Sequence, residues 1–77
     1  MFLGEGAIDE ALALFGLNAE MYAEAAGPHR DLGLAHLARG ELEPALASYE
    51  RAAELDPADA EAARKIGEIR AELDASG

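Results

Sequence analysis

Two histidines are the residues of this chain best suited to chemistry, because an imidazole can bind a metal ion or carry a proton near neutral pH. His29 and His36 stand seven positions apart. In a helix that spacing is a rise of about 10.5 Å, which no single ion bridges. The chain also has no cysteine to complete a ligand set. We therefore predict that both histidines lie in or at the edge of a protein core, with neither a metal site nor a bound cofactor.

A pattern for catalysis is missing as well. Ser48 and Ser76 are the two serines, and Ser48 falls inside a predicted helix, without the glycine-rich elbow that exposes a nucleophile. The segment Gly4-Glu5-Gly6 and Gly33 do not form a phosphate-binding loop. The carboxylates do not have the spacing of a calcium loop. The sequence thus predicts no catalytic residues and a protein that is not an enzyme.

The balance of charge excludes two classes of partner. Six basic residues face 16 acidic ones, which gives a net charge of −10. Nucleic acids and anionic membranes repel a chain with this charge. The apolar segment 1–15 lacks the basic start of a signal peptide, and no run approaches the roughly 20 apolar residues of a membrane span. We expect a soluble protein with protein partners; its compartment stays open, with the cytoplasm as the default.

Helices must position whatever site the chain has. It contains three isoleucines and neither valine nor threonine, so residues that favour strands are scarce. Helical spacing predicts helices at 7–22, 28–39, 41–55 and 60–73, with an interruption allowed near Gly16. Gly40 suits a left-handed cap after the second helix, and Asp59 suits the start of the fourth. The short connections predict an all-α fold of antiparallel helices.

These helices repeat along the chain. Gly6 aligns with Gly40, 34 residues later, and three further pairs share this offset: Ala11 with Ala45, Phe15 with Tyr49, and Leu32-Gly33 with Ile66-Gly67. A period of 34 residues built from paired helices is the spacing of the tetratricopeptide repeat.

The segment 26–59 resembles one tetratricopeptide repeat. It carries the residues of that family at the family's spacing: the pair Leu32-Gly33, the small Ala45 and Ala52, the aromatic Tyr49 and the closing Pro57. It departs from the family at His29 and His36, which stand where the family favours aromatic residues, and we expect looser packing there.

The resemblance implies one domain over 1–77, an antiparallel α-hairpin stack of about one and a half to two repeats. In this domain 6–23 corresponds to the second helix of a degenerate repeat. A complete repeat covers 26–59, and 60–75 is a following or capping helix.

A narrower likeness covers Phe15, Leu17-Asn18, Glu20, Tyr22 and Asp31-Leu32-Gly33. These residues are similar to the repeat-bearing C-terminal tails of some β-lactamase-like serine hydrolases. This likeness suggests a detached or homologous tail and implies nothing about activity.

The family resemblance implies a protein- or peptide-binding module whose concave face is lined by the first helix of each pair. The candidate residues on that face are Arg30, Leu34, Leu37, Arg64, Lys65 and Glu68. The three cations predict an acidic or C-terminal peptide as ligand. The asparagines that family members pair with such cations are absent, since Leu34 and Glu68 stand there. Local ion pairs, of Glu61 with Arg64 and Lys65 and of Arg64 with Glu68, are the alternative use of the charges.

Two further expectations concern assembly. The alternative function, from a different class, is a structural or oligomerising appendage of a larger enzyme, with no peptide ligand of its own. The isolated chain is also expected to form a weak homodimer. In the expected stack, its N-terminal part has no first helix to pair with. This part is apolar, since it contains Met1, Phe2, Leu3, Ile8, Leu12, Leu14 and Phe15.

Overall fold

The computed structural model describes the backbone of residues 3–76 and the side chains of residues 7–75. Four helices make up this part of the chain: α1 (Leu3–Met21), α2 (Ala26–Ala38), α3 (Leu42–Leu55) and α4 (Ala60–Ser76). The described residues contain no strand, so the predicted all-α fold is confirmed. Met1 and Phe2, which entered the dimer prediction, lie outside the described residues.

The helix bounds differ from the predicted ones by up to four residues: α1 begins at Leu3 and not at 7, and α4 ends at Ser76 and not at 73. Helix α1 is continuous through Gly16, because the good helix formers on either side outweigh the roughly 1 kcal/mol that a glycine costs. Helix α2 begins at Ala26, before Pro28. Pro28 therefore occupies the first turn, where its missing N–H has no partner within the helix to lose.

Two backbone hydrogen bonds at the C-terminal end of α2 close the turn between α2 and α3. Gly40 has a φ of 78°, in the left-handed region that glycine adopts without strain. The N–H of Gly40 donates to the carbonyl of Leu37 at 2.9 Å, and the N–H of Glu41 donates to that of His36 at 2.9 Å. This pair of bonds is the Schellman arrangement, and it confirms the predicted cap at Gly40.

Helices α2 and α3 form a tight antiparallel hairpin. At their crossing a Cβ atom on Gly33 would lie 2.8 Å from two ring carbons of Tyr49, so only glycine allows this approach. The Tyr49 ring is fully buried. Small residues surround it, and the core cluster consists of Ala45, Tyr49, Ala52, Ala62 and Ile69.

Each helix packs against its neighbour in the sequence, which gives a flat stack of 38 × 34 × 16 Å. Arg39 near the end of α2 pairs with Asp9 in the first half of α1. His29 near the start of α2 bonds to Ala23, just after α1. These two contacts show that α1 and α2 are antiparallel as well.

Candidate functional site

Helices α2 and α4 lie on the same side of the stack and enclose a small groove over α3. The groove, here called the α2–α4 groove, is lined by Leu37, Leu42, Glu68, Ile69 and Glu72. Its volume is about 160 Å³, well below the ~300–1,000 Å³ of sites for small-molecule ligands. A space of this size suits one side chain of a partner.

An ion pair ties the first half of α2 to the start of α4. Arg30 Nη1 lies 2.7 Å from Asp59 Oδ2, and Arg30 Nε lies 3.9 Å from Glu61 Oε1. The Asp59 side chain is only 5% exposed. Leu37 and Ile69 line the groove together near the other end of α2. Because the first half of α2 lies near the start of α4 and its second half near the middle of α4, the two helices run in the same direction.

Asp59 also caps α4, as predicted. Its Oδ1 accepts a hydrogen bond from the Ala62 N–H at 3.1 Å. This bond, followed by the bond from Arg30, lowers the pKa of the Asp59 carboxyl. The hydrogen bond to Asp59 is likewise the main reason that the pKa of Arg30 is raised. Both groups therefore remain charged in the folded protein at neutral pH.

The other two predicted cations are held more loosely. Arg64 Nε lies 4.0 Å from Glu68 Oε2, and Lys65 Nζ lies 3.8 Å from Glu68 Oε1. The Arg64 side chain is 66% exposed. The Lys65 side chain is 24% exposed, whereas that of Glu68 is 58% exposed. Pairs this long, in contact with solvent on at least one side, contribute only about 0–1 kcal/mol, so a ligand can displace them. Among the ion pairs predicted on α4, the described structure has Arg64 with Glu68, whereas Glu61 faces Arg30.

The structure thus divides the six predicted site residues into three positions. Leu37 and Glu68 line the α2–α4 groove together, with Arg64 and Lys65 beside Glu68. Arg30 lies at the opposite end, against Asp59. Leu34 is half exposed, on the turn of α2 between them.

Two apolar residues of the groove, Leu42 and Ile69, are not among the predicted site residues. Both lie on the apolar side of their helix, and Ile69 is also part of the buried core. Helical spacing predicts which side of a helix is apolar. It does not predict which residues at the edge of that side stay uncovered when the neighbouring helices pack.

The two histidines are used as hydrogen-bonding residues at the ends of the hairpins. His29 Nε2–H donates to the carbonyl oxygen of Ala23 at 2.9 Å, and His36 Nδ1 lies 2.8 Å from Glu41 Oε1. The bond from His36 is the main reason that the pKa of Glu41 is lowered. In the described part of the chain, no group of three or more His, Cys, Asp or Glu residues could hold a metal ion.

A family model described as a TPR repeat matches residues 33–74, more than half of the chain. The chain belongs to the tetratricopeptide repeat family. Repeats of this family generally mediate contacts between proteins, and the family is typically a non-catalytic scaffold. No curated protein and no solved structure matches the chain significantly. The likeness to serine hydrolase tails stays a hypothesis.

The matched residues run from the middle of α2 through α3 to near the end of α4, and they include all five residues that line the groove. None of the described helices of this tetratricopeptide chain is long and apolar enough to cross a membrane.

Proposed function

We propose that this chain is a non-catalytic module that binds a protein or peptide on the face formed by α2 and α4. The observation that carries the proposal is the α2–α4 groove, where Leu37, Leu42 and Ile69 offer an apolar space for one side chain. Charged groups flank this space. A peptide can therefore be held by one buried side chain and oriented by its charges.

The ligand that this face fits is an acidic peptide or a chain end with a free carboxylate. Arg64 and Lys65 would contact the carboxylates, because their pairs with Glu68 are long and displaceable. Arg30 is already bound to Asp59. Its remaining guanidinium N–H groups can add a contact, but its first role is to hold α4 beside α2.

This proposal is tested by peptide titration against a charge-matched set of variants. The peptides are acidic and have free or amidated C-termini. Arg64→Ala/Lys65→Ala should weaken binding about tenfold, equivalent to ~1.4 kcal/mol, since two charged contacts are lost. The control is Arg51→Ala/Arg70→Ala, which removes two cations whose partners are Glu54 and Glu50, outside the groove.

Equal weakening in the two double variants would mean that the peptide responds to net charge alone. Equal binding by wild type and Arg64→Ala/Lys65→Ala would mean that these cations only pair locally. Either result contradicts the proposed face.

The second candidate function is a structural appendage of a larger protein. The exposed apolar side chains on α1, which include Leu14, Leu17 and Met21, favour it, because such a surface is normally covered. An appendage would bind none of the titrated peptides, and its α1 would be protected from hydrogen exchange only within the larger protein.

A further inference from the structure

Helix α1 has a second apolar side that faces solvent. Leu14, Leu17 and Met21 follow one another at i, i+3 and i+7, so they form one stripe along the helix. This stripe is called the α1 strip below. Its side chains are between 54% and 63% exposed, and Tyr22 directly after it is 58% exposed.

The opposite side of α1 already serves the fold. Ile8, Leu12 and Phe15 are partly buried and Ala19 is buried, and α1 packs against α2. A helix that is apolar on both sides is typical of one covered on both sides. Single exposed apolar residues are ordinary, but three at helical spacing, followed directly by an exposed tyrosine, indicate a contact surface.

The charge around the α1 strip has one sign. Helix α1 contains no Lys, Arg or His. Glu10 stands one turn before Leu14 on the same side of the helix. Glu20 and Glu24 line a shallow cleft with Met21 and Tyr22 at the C-terminal end of the helix.

Three carboxylates next to the α1 strip have no cation paired with them among the described residues. Within the described residues Glu10, Glu20 and Glu24 form no ion pair, whereas Asp9 on the neighbouring side pairs with Arg39. The C-terminal end of a helix also carries a partial negative charge, and no basic residue lies in the last turn of α1. The surface is thus apolar along its middle and electronegative at its edges.

We propose that the α1 strip docks an amphipathic helix of another protein that carries basic residues. Its apolar side would lie on Leu14, Leu17 and Met21, and its Lys or Arg side chains would meet Glu10, Glu20 and Glu24. A second copy of this chain fits less well, because it would bring the same carboxylates to the contact and a further net charge of −10. The α1 strip is separate from the α2–α4 groove, so either site can exist without the other.

Two designed helical peptides of about 18 residues, long enough to form a helix against a surface, are the probes. They share one leucine stripe; the first carries lysines on its polar side and the second carries glutamates. Each is titrated by fluorescence anisotropy against matched variants. Leu17→Ser is compared with Leu34→Ser, because Leu17 is 54% exposed on the α1 strip and Leu34 is 50% exposed on α2. Glu10→Gln/Glu20→Gln is compared with Glu43→Gln/Asp74→Asn, which removes the same charge from α3 and α4.

The lysine peptide should bind wild type and the two controls alike. Leu17→Ser should weaken its binding at least about tenfold, through the lost burial of one leucine. Glu10→Gln/Glu20→Gln should weaken it more than its charge-matched control does. The glutamate peptide should not bind.

Three results would overturn the proposal. Equal binding by Leu17→Ser and Leu34→Ser would mean that the lysine peptide responds to net charge alone. Binding of the glutamate peptide as tight as that of the lysine peptide would remove the case for a basic partner. Sedimentation equilibrium that shows a dimer lost in Leu17→Ser and kept in Leu34→Ser would assign the strip to a second copy of the chain.

Discussion

The contact of Gly33 with the Tyr49 ring is the narrowest point of the hairpin. The family resemblance identifies both residues as repeat positions, because their spacing matches the repeat, and the structure shows that the two meet at the crossing of α2 and α3. The sequence does not predict the state of the Tyr49 hydroxyl, which is buried and has no hydrogen-bond partner among the described residues. That state depends on residues brought near by three different helices.

Gly33→Ala should destabilise the fold by about 1–3 kcal/mol, because the new Cβ would meet the buried ring at 2.8 Å. Gly67 is the matched control, since it stands 34 residues later in α4 and has no atom within 4 Å of an added Cβ. Gly67→Ala should stabilise by about 0.5–1 kcal/mol, the gain of alanine over glycine inside a helix. Urea denaturation measures the change in the free energy of unfolding of each variant. A change of the same sign in both variants would contradict the close contact of Gly33 with the Tyr49 ring.

Tyr49→Phe should leave stability unchanged or raise it by about 1 kcal/mol. The substitution removes a hydroxyl that is buried without a partner, and such a group costs free energy. The same burial raises the pKa of Tyr49. Thermal and urea denaturation of wild type and variant provide the measurement; a loss of more than about 1 kcal/mol would mean that the hydroxyl is bonded in solution.

At the scale of the helices, the start of α4 depends on a carboxylate. The pKa of Asp59 lies below its ordinary value of 3.8 in the folded protein, so the stability it provides is complete well above pH 4. This contribution is lost as the pH falls through 3.8 towards the lower folded pKa, because protonation then favours the unfolded chain. Urea midpoints of wild type and Asp59→Asn should therefore converge as the pH falls from 6 to 3.

Asp74→Asn is the charge-matched control for this titration, since Asp74 is exposed near the end of α4. If the difference in urea midpoint between wild type and Asp59→Asn stays constant over the whole pH range, the role of the Asp59 carboxylate is contradicted. A difference in urea midpoint that grows towards low pH would contradict it as well.

The limits of prediction also appear at this scale. Helix ends such as Gly40 are predictable, because a cap is decided by residues within one turn. The pairs Arg30–Asp59 and Arg39–Asp9 join residues 29 and 30 apart in the sequence, and they depend on the packing of separate helices. For this reason the sequence predicts Arg30 as a ligand-binding residue, whereas the structure shows that Arg30 forms an ion pair with Asp59.

The whole molecule is a stack only 16 Å thick, so most residues lie close to a surface. Its two candidate surfaces differ in character. The α2–α4 groove is lined by Glu68 and Glu72 and has Arg64 and Lys65 beside Glu68, whereas among the described residues the α1 strip is flanked by carboxylates without a paired cation. The net charge of −10 opposes the approach of an acidic peptide at low ionic strength. Binding at the groove should therefore depend on local contacts and not on long-range attraction.

The central claim is that the α2–α4 face of this tetratricopeptide chain holds a peptide. An NMR titration of the ¹⁵N-labelled chain tests it most directly, with an acidic peptide that carries one apolar side chain and a free C-terminal carboxylate. We expect the largest amide shifts at Leu37, Lys65, Glu68 and Ile69, with the amides of Leu14 and Leu17 unmoved. Shifts confined to α1, or none at millimolar peptide, would contradict the claim.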